Sequence, residues 1–304
     1  MSKSITKEGV TSFLPTTMTG SYEHILNAVH NVSDNRNNVS GANILGVHLE
    51  GPFINRVYKE AQPGEHIQAI DLEKLENWNK RNIIKIITAA PELENFDKLI
   101  EFCKINNIRL SVKHSAATFE KTQIAVDQGV NNFTHAYNAM SGFSHREGGV
   151  VGAMLVNSDA TVELIADGIH VHEPAIKLLY KAKGPNRIIL VTDAIRAKGL
   201  SNGESELGGQ KVNNYNGIAK LEDGQLAGSV LKYDDGFRHV HKVLELSLVE
   251  LCKMASLNPA RNIGVSDTKG SIAVGKDADL VILDENLNVI KTIVKGKVVY
   301  EGQD

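Results

Sequence analysis

Short apolar runs alternate with segments of helical periodicity along most of this 304-residue chain. The stretches between most of the runs are long enough for a helix, and the runs are seven: VTSFLPT, NILGVHLE, IIKIITAAP, RLSVKH, NNFTH, TVELIADG and RIILVTDA. This alternation favours a parallel sheet wrapped by helices. The predicted fold class is therefore α/β, a TIM-like (β/α) barrel. Because such barrels contain eight strands in about 250 residues, we expect one strand to be missing.

The pattern changes at the C-terminus. Residues 269–304 contain short alternating strands separated by turn residues, as in GKDAD, DENLN and KGK, with no helix between them. This pattern predicts the C-terminal strands of a small β-domain, which follow a barrel domain over residues 1–268 that is incomplete at its N-terminus. About thirty residues cannot form a stable sheet alone. We therefore expect these strands to pack against another part of the protein.

The composition, with 42% hydrophobic and 23% charged residues, suits a globular protein with a substantial core. A formal net charge of −3 gives no general affinity for nucleic acid or for an anionic membrane. The N-terminus lacks the apolar core of a signal peptide, and no run approaches the ~18 apolar residues of a membrane span. Cys103 and Cys252 lie in helical patterns and are expected to be buried free thiols, which suits a reducing cytoplasm.

Four acidic or imidazole side chains stand where apolar runs end: Glu50, His114, His135 and Asp193. Their spacings correspond to about two, one and two βα repeats of ~30 residues. In a (β/α) barrel the C-terminal ends of the strands meet at one mouth, where functional groups gather. A single histidine at a strand end is more often a hydrogen-bonded structural residue, and a single aspartate is often a helix N-cap. Four in phase predict a metal-dependent hydrolase.

Several motifs occur together and in order: HLEGPF, TH-x-YNAM, HREGG, DGIHVH, TDA-x-RAKG, LAGS and GSIAVGKDADLVILD. From Gly9 to the C-terminus the chain resembles the N-acetylglucosamine-6-phosphate deacetylase family, within the amidohydrolase superfamily. Members of that family begin about eighty residues earlier, in a part that holds half of the small β-domain and the first barrel strand. The resemblance therefore implies a chain that lacks this N-terminal part and the His-x-His-Gly motif of the first strand.

The resemblance also implies roles for the strand-end residues. Glu50, His114 and His135 correspond to the ligands of one divalent metal ion, with zinc expected and iron, manganese or cobalt as alternatives. A single metal is expected because the strand ending in TAAPE offers no bridging lysine and the His-x-His pair is absent. Asp193 corresponds to the general base that takes a proton from water and delivers it to the departing amine. His170 corresponds to the residue that orients the acetamide carbonyl.

Further residues resemble a sugar-phosphate site. Arg146 in HREGG corresponds to the phosphate-binding arginine, although an arginine in a loop is also common as a solvated charge. Asn138 and the backbone of Ala139 correspond to the rest of the phosphate cradle, and Gln62 to a position in the substrate pocket. Because some phosphate contacts in this family come from a neighbouring subunit, a homodimer is expected. His48 is expected to have a buried hydrogen-bonded role.

Three positions depart from the family pattern. Lys113 stands where the family usually has a glycine before the metal histidine, and it would repel a metal unless its flexible stem carries the ammonium away. Glu60 replaces a glycine in KEAQP, and Lys232 replaces a small polar residue after LAGS.

The function that these residues imply is hydrolysis of N-acetylglucosamine 6-phosphate to glucosamine 6-phosphate and acetate. Two alternatives remain open at this point. The chain could be a truncated, inactive or binding-only barrel, as the absent strand suggests. It could also be another amidohydrolase that acts on a cyclic amide, but HREGG with YNAM argues against this because these motifs resemble a phosphate cradle.

Overall fold

A parallel sheet of seven strands forms the centre of the computed structural model, which describes residues 1–302. The strands of this region are β1 (Ser12–Phe13), β2 (Thr16–Thr17), β3 (Asn43–Ile44), β4 (Val47–Glu50), β5 (Ile84–Ala89), β6 (Arg109–Val112), β7 (Asn132–Phe133), β8 (Thr161–Ile165) and β9 (Ile188–Val191). The sheet order is β2-β4-β5-β6-β7-β8-β9, and every neighbouring pair is parallel. β1 and β3 form a separate parallel pair just before β2 and β4. The predicted seven strands and the α/β class are confirmed.

Helices connect most of these strands and cover the sheet. They are α1 (Ser2–Ile5), α2 (Tyr22–Asn35), α3 (Leu72–Trp78), α4 (Phe96–Ile105), α5 (Phe119–Asp127), α6 (Gly149–Val156), α7 (Glu173–Lys183), α8 (Tyr233–Leu244), α9 (Leu248–Cys252) and α10 (Asn258–Asn262). Side-chain N-caps define where three of these helices begin. Ser21, Asp71 and Thr118 each accept a hydrogen bond from a backbone N–H of the first turn. No helix among residues 1–302 is long and apolar enough to cross a membrane.

Two antiparallel sheets lie outside the parallel one. The first contains β10 (Gly203–Leu207), β11 (Gln210–Tyr215) and β12 (Ile218–Leu221), and the second contains β13 (Leu280–Leu283), β14 (Val289–Val294) and β15 (Lys297–Glu301). The C-terminal sheet packs against the N-terminal segment, where the buried Thr292 Oγ1 donates to the backbone oxygen of Thr6 at 2.7 Å. The predicted C-terminal strands are therefore present, and they contact another part of the chain as expected.

The two cysteines differ. Cys103 is buried in α4, as predicted, but the prediction of a buried Cys252 is wrong because its residue is exposed. The side chains of Leu251, in α9, and of Met254, in the turn that follows, are both buried in the core. Cys252 lies between them in sequence and therefore falls outside the buried face of the helix.

The interior of the parallel sheet carries a chain of hydrogen-bonded polar side chains. The chain runs through His48, Thr88, Thr134, Ser111, Asn132 and Glu163, all buried. The links between the first five are 2.6–2.9 Å long, and the last, from Asn132 Nδ2 to Glu163 Oε1, is 3.4 Å. Because buried polar groups are costly without hydrogen-bond partners, this series of hydrogen bonds is what allows polar side chains in the interior of the sheet. His48 has the buried hydrogen-bonded role expected for it.

Glu163 at the end of this chain makes stability depend on pH. Burial, together with the negative charge of Glu50, raises the pKa of the Glu163 carboxyl to about 8 although Asn132 donates a hydrogen bond to it. The unfolded chain loses this proton near the ordinary value of 4.5, so the folded state binds more protons between these two pH values. The free energy of unfolding therefore falls as pH rises through this window.

We predict that Glu163→Gln, which cannot ionise, becomes more stable relative to the unmodified chain as pH rises from 5 to 8. The gain should be of the order of 3 kcal/mol. Urea unfolding at both pH values in the presence of a chelator measures it, with Glu94→Gln as the exposed control. A stability difference that is the same at both pH values would contradict this account.

Candidate functional site

Three buried side chains converge at the C-terminal ends of the parallel strands. Glu50 is the last residue of β4, and His114 and His135 each lie two residues beyond the ends of β6 and β7. Their ligand atoms all lie within 4.8 Å of one another. Because parallel strands point the same way, residues far apart in sequence meet at this rim.

Left-handed backbone lets consecutive residues at the strand ends face the interior. Side chains alternate between the two faces of a strand, so Lys113 shares the inward face of Ser111 and Thr134 shares that of Asn132. His114 (φ 49°) and His135 (φ 27°) follow them in a conformation that non-glycine residues rarely adopt. This backbone interrupts the alternation, and both histidines face the interior as well. Such strained positions persist where the surrounding structure fixes them, and they cluster at functional sites.

The donor atoms of the three converging residues suit a divalent metal. Oε1 of Glu50 lies 3.1 Å from Nε2 of His114 and 3.3 Å from Nε2 of His135. Nδ1 of His114 is 2.8 Å from the backbone oxygen of Tyr58, which can only accept, so Nδ1 carries the hydrogen. In the neutral ring Nε2 of His114 then carries a lone pair that faces Oε1 of Glu50. A cation between these two atoms can accept a lone pair from each. Two imidazole nitrogens and one carboxylate oxygen are a donor set that zinc accepts.

A lysine ammonium also enters this cluster. Nζ of Lys113 lies 3.0 Å from Oε1 of Glu50 and 4.0 Å from Oε2 of Glu60, and the Lys113 side chain is only 2% exposed. Burial opposes ionisation of Glu50, but the positive charge of Lys113 holds the pKa of this carboxyl well below its ordinary value. The stem of Lys113 therefore does not carry the ammonium away from the cluster.

The backbone of Glu60 suits the glycine that the family resemblance implies at this position. Its φ is 49°, in the left-handed region that glycine adopts without steric cost. The side chain that Glu60 adds is partly exposed and lies toward Lys113. The two charged departures from the family pattern, Lys113 and Glu60, are thus neighbours of opposite sign.

Asp193 lies just past β9 and is half-buried, with φ 51°. Burial, with the negative charge of Glu50, raises its pKa to about 6. The LAGS motif supports its backbone, because the Ser229 N–H donates to the Asp193 oxygen at 2.8 Å. A Cβ on Gly228 would lie 3.0 Å from that oxygen and 2.6 Å from Ile195 Cγ2, so only glycine fits.

The alternative interpretation of Asp193 as a helix N-cap is wrong, since turns rather than a helix follow it.

His170 is held by a residue that sequence reasoning missed. Oδ2 of Asp167 lies 2.6 Å from His170 Nδ1, and Oδ1 accepts the backbone N–H groups of Ile169 and His170, each at 2.8 Å. Burial opposes the charged ring, but the Asp167 hydrogen bond and charge raise the pKa of His170. The signal was present in DGIHVH, because an aspartate three residues before a histidine can close such a turn.

Glu92 was also missed. Its Oε1 accepts from Asn55 Nδ2 at 2.9 Å and from the Ala116 N–H at 2.7 Å, and its Oε2 accepts from Ser115 Oγ at 2.7 Å. Glu92 thereby anchors the loop that follows His114. Its position after TAAP, at the end of a predicted strand, was the only signal in the sequence.

A cavity of ≈ 230 Å³ opens beside this cluster. Its walls include Glu60, His135, Asn138, His170, Asp193 and Gly228. The structure therefore brings together the metal-type cluster, Asp193, and two residues predicted to contact substrate, Asn138 and His170.

The other residues predicted to contact substrate, Gln62, Ala139 and Arg146, are not among those that line this cavity. Ala139 has a left-handed backbone (φ 50°), and its oxygen accepts from the Ser115 N–H at 3.1 Å, which ties the loops after β6 and β7 together. Gln62 is buried, and its Oε1 accepts from the Thr19 N–H at 2.7 Å. Arg146 lies exposed on the loop before α6 and is not part of the cavity wall.

Comparison with known proteins agrees with this geometry. Residues 1–299 match the amidohydrolase family. The chain is 42% identical over 310 residues to the N-acetylglucosamine-6-phosphate deacetylase of Bacillus subtilis (strain 168), a match that covers 100% of this chain and 78% of that relative. It is 37% identical over 294 residues to the N-acetylgalactosamine-6-phosphate deacetylase of Escherichia coli O157:H7, with 96% of this chain and 78% of the relative covered.

A solved structure is also similar over almost the whole chain. The N-acetylglucosamine-6-phosphate deacetylase of Thermotoga maritima superposes with a TM-score of 0.94 at 39% identity, and the match covers 99% of this chain and 82% of that one. The resemblance that the motifs carried is confirmed, and the chain belongs to the amidohydrolase family.

Proposed function

We propose that this chain is a metal-dependent amide hydrolase that converts N-acetylglucosamine 6-phosphate to glucosamine 6-phosphate and acetate. The observation that carries this proposal is the convergence of Glu50, His114 and His135 beside Asp193 and His170 around one cavity. The B. subtilis relative, named for this activity, supports the choice of substrate.

Glu50, His114 and His135 would hold the metal, and we propose zinc because two imidazoles and a carboxylate suit it. When bound, the metal would lower the pKa of water and polarise the amide carbonyl. The Tyr58 carbonyl fixes the His114 ring so that Nε2 faces the cluster.

Asp193 would move the proton. Its carboxyl lines the cavity, and its pKa of about 6 lies near neutral pH, where a group can both accept and return a proton. Asp193 would accept a proton from the attacking water and then deliver it to the nitrogen of the departing amine. The left-handed backbone and the Ser229 hydrogen bond hold it in place for both steps.

His170 would orient the acetamide carbonyl. The Asp167 carboxylate accepts from Nδ1, which fixes the ring and favours its protonated form. Nε2 can then donate a hydrogen bond to the carbonyl oxygen, where negative charge develops during attack.

The phosphate would be held by Asn138, the backbone of Ala139 and Arg146. Asn138 lines the cavity, and the exposed Arg146 guanidinium is free to meet an anion that enters from solvent. Gln62 would border the substrate pocket. The family resemblance also implies a homodimer, in which the partner subunit completes the phosphate contacts.

A binding-only barrel is the second candidate, and one observation favours it. The Lys113 ammonium contacts Glu50, the only acidic member of the metal-type cluster. Turnover by the purified chain separates the two candidates. Because one relative is named for the galactosamine substrate, both epimers should be assayed, together with an unphosphorylated acetyl sugar and a cyclic amide.

We predict that Asp193→Asn lowers release of glucosamine 6-phosphate by about 10²- to 10⁴-fold, because an amide cannot accept the proton. The assay uses the purified chain with added zinc and the acetylated substrate. Zinc affinity serves as the control and should change far less than turnover. Full activity in this variant would exclude Asp193 as the base.

We predict that Asp167→Asn shifts the alkaline limb of the kcat/KM profile to lower pH. Removing the Asp167 charge lowers the pKa of His170, so the ring loses its proton at lower pH and ceases to donate to the carbonyl. The exposed Asp97→Asn is the matched control and should leave the profile unchanged. A uniform loss of rate with an unshifted profile would show a structural role only.

A further inference from the structure

One oxygen is shared by three contacts at the candidate metal site. Oε1 of Glu50 lies 3.1 Å from His114 Nε2, 3.3 Å from His135 Nε2 and 3.0 Å from Lys113 Nζ. A buried carboxylate needs a counter-ion, because the charge is otherwise taken out of water without compensation. Lys113 supplies that positive charge at the oxygen where a metal bound by the two histidines would also bind.

A second carboxylate offers the ammonium another position. Oε2 of Glu60 lies 4.0 Å from Lys113 Nζ, and its side chain is 42% exposed on the cavity wall. The lysine stem has four rotatable methylenes, so a small rotation moves the ammonium between the two acids. Lys113 thus stands between a buried acid that belongs to the metal-type cluster and a partly exposed acid that does not.

We propose that the Lys113 ammonium and a divalent metal compete for the Glu50 carboxylate, and that metal binds when Lys113 turns from Glu50 toward Glu60. This inference rests on the proposed function, since it takes Glu50, His114 and His135 as the metal ligands. Lys113 is then an internal cation that sets the metal affinity of the site, and Glu60 is the counter-charge that receives it.

Two effects of charge follow from this competition. With Lys113 on Glu50, an incoming metal must break a buried ion pair before it can use the carboxylate oxygen, which lowers its affinity. With Lys113 on Glu60, the ammonium stays near the metal but is neutralised, so the repulsion between the two cations is reduced. Lys113 therefore weakens metal binding, and Glu60 partly restores it.

Direct zinc titration by calorimetry tests the proposal. Lys113→Met keeps the stem and removes the charge, and it should bind zinc more tightly by about tenfold or more, the change that corresponds to 1.4 kcal/mol. Lys183→Met is the matched control because Lys183 is also buried but its Nζ donates to the Asn157 oxygen, away from the cluster. Its zinc affinity should equal that of the unmodified chain. Equal or weaker zinc binding by Lys113→Met would overturn the proposal.

Glu60→Gln gives a second arm in the same titration. It should weaken zinc binding in the unmodified background, because the displaced ammonium then loses its counter-charge. In the Lys113→Met background the same substitution should have a clearly smaller effect, since no ammonium has to be received. Equal effects of Glu60→Gln in the two backgrounds would overturn the role of Glu60.

The unmodified chain provides a test that does not depend on how Lys113→Met folds. In a sample labelled with ¹⁵N-lysine, the Lys113 ammonium resonance is assigned by its loss in Lys113→Arg, which keeps the positive charge. Zinc titration should shift this resonance in step with metal binding. Zinc that saturates the site and leaves the resonance unmoved would overturn the proposal.

The outcomes separate this proposal from the proposed function. Zinc binding by the unmodified chain with no gain in Lys113→Met overturns the competition and leaves the metal-dependent function standing. No zinc binding by either chain overturns both. Binding by Lys113→Met alone would support the competition in its strongest form, in which Lys113 keeps the metal out.

Discussion

The common direction of the seven parallel strands is the constraint on which the rest of the structure depends. Because β4, β6, β7 and β9 all end at one rim, Glu50, His114, His135 and Asp193 meet although nearly half of the chain separates the first from the last. Direction alone is not sufficient, since strict alternation would turn one of every two consecutive residues away. The left-handed residues at the strand ends remove this limit and let the side chains of neighbouring residues face the same interior.

Much of this arrangement could be predicted from the sequence. Apolar runs gave the strands of the parallel sheet, and a polar residue at the end of each run gave the members of the cluster. Contacts that join distant segments could not be predicted in this way. Glu92 holds the loop of His114 and Gln62 holds Thr19 through hydrogen bonds that no local periodicity reports. The direction of a side chain past a strand end was equally hidden, as Lys113 shows.

Lys113 and Glu60 illustrate how separate replacements combine in space. In the sequence each is a charged residue at a position where the family resemblance implies glycine, and each looks unfavourable alone. In the structure they lie 4.0 Å apart with opposite charges on one side of the cluster. The electrostatic character of the site therefore depends on the pair, and neither residue can be interpreted without the other.

The polar chain inside the sheet has a direction. The Asn132 amide nitrogen can only donate, so Ser111 Oγ accepts from it at 2.9 Å. The arrangement that leaves no hydroxyl hydrogen without an acceptor then runs from Ser111 to Thr134, to Thr88 and finally to His48 Nε2. His48 must accept at Nε2 and carry its hydrogen on Nδ1. The Asn132 amide thus determines the tautomer of His48, which lies three strands away in the sheet and two residues before Glu50 in the sequence.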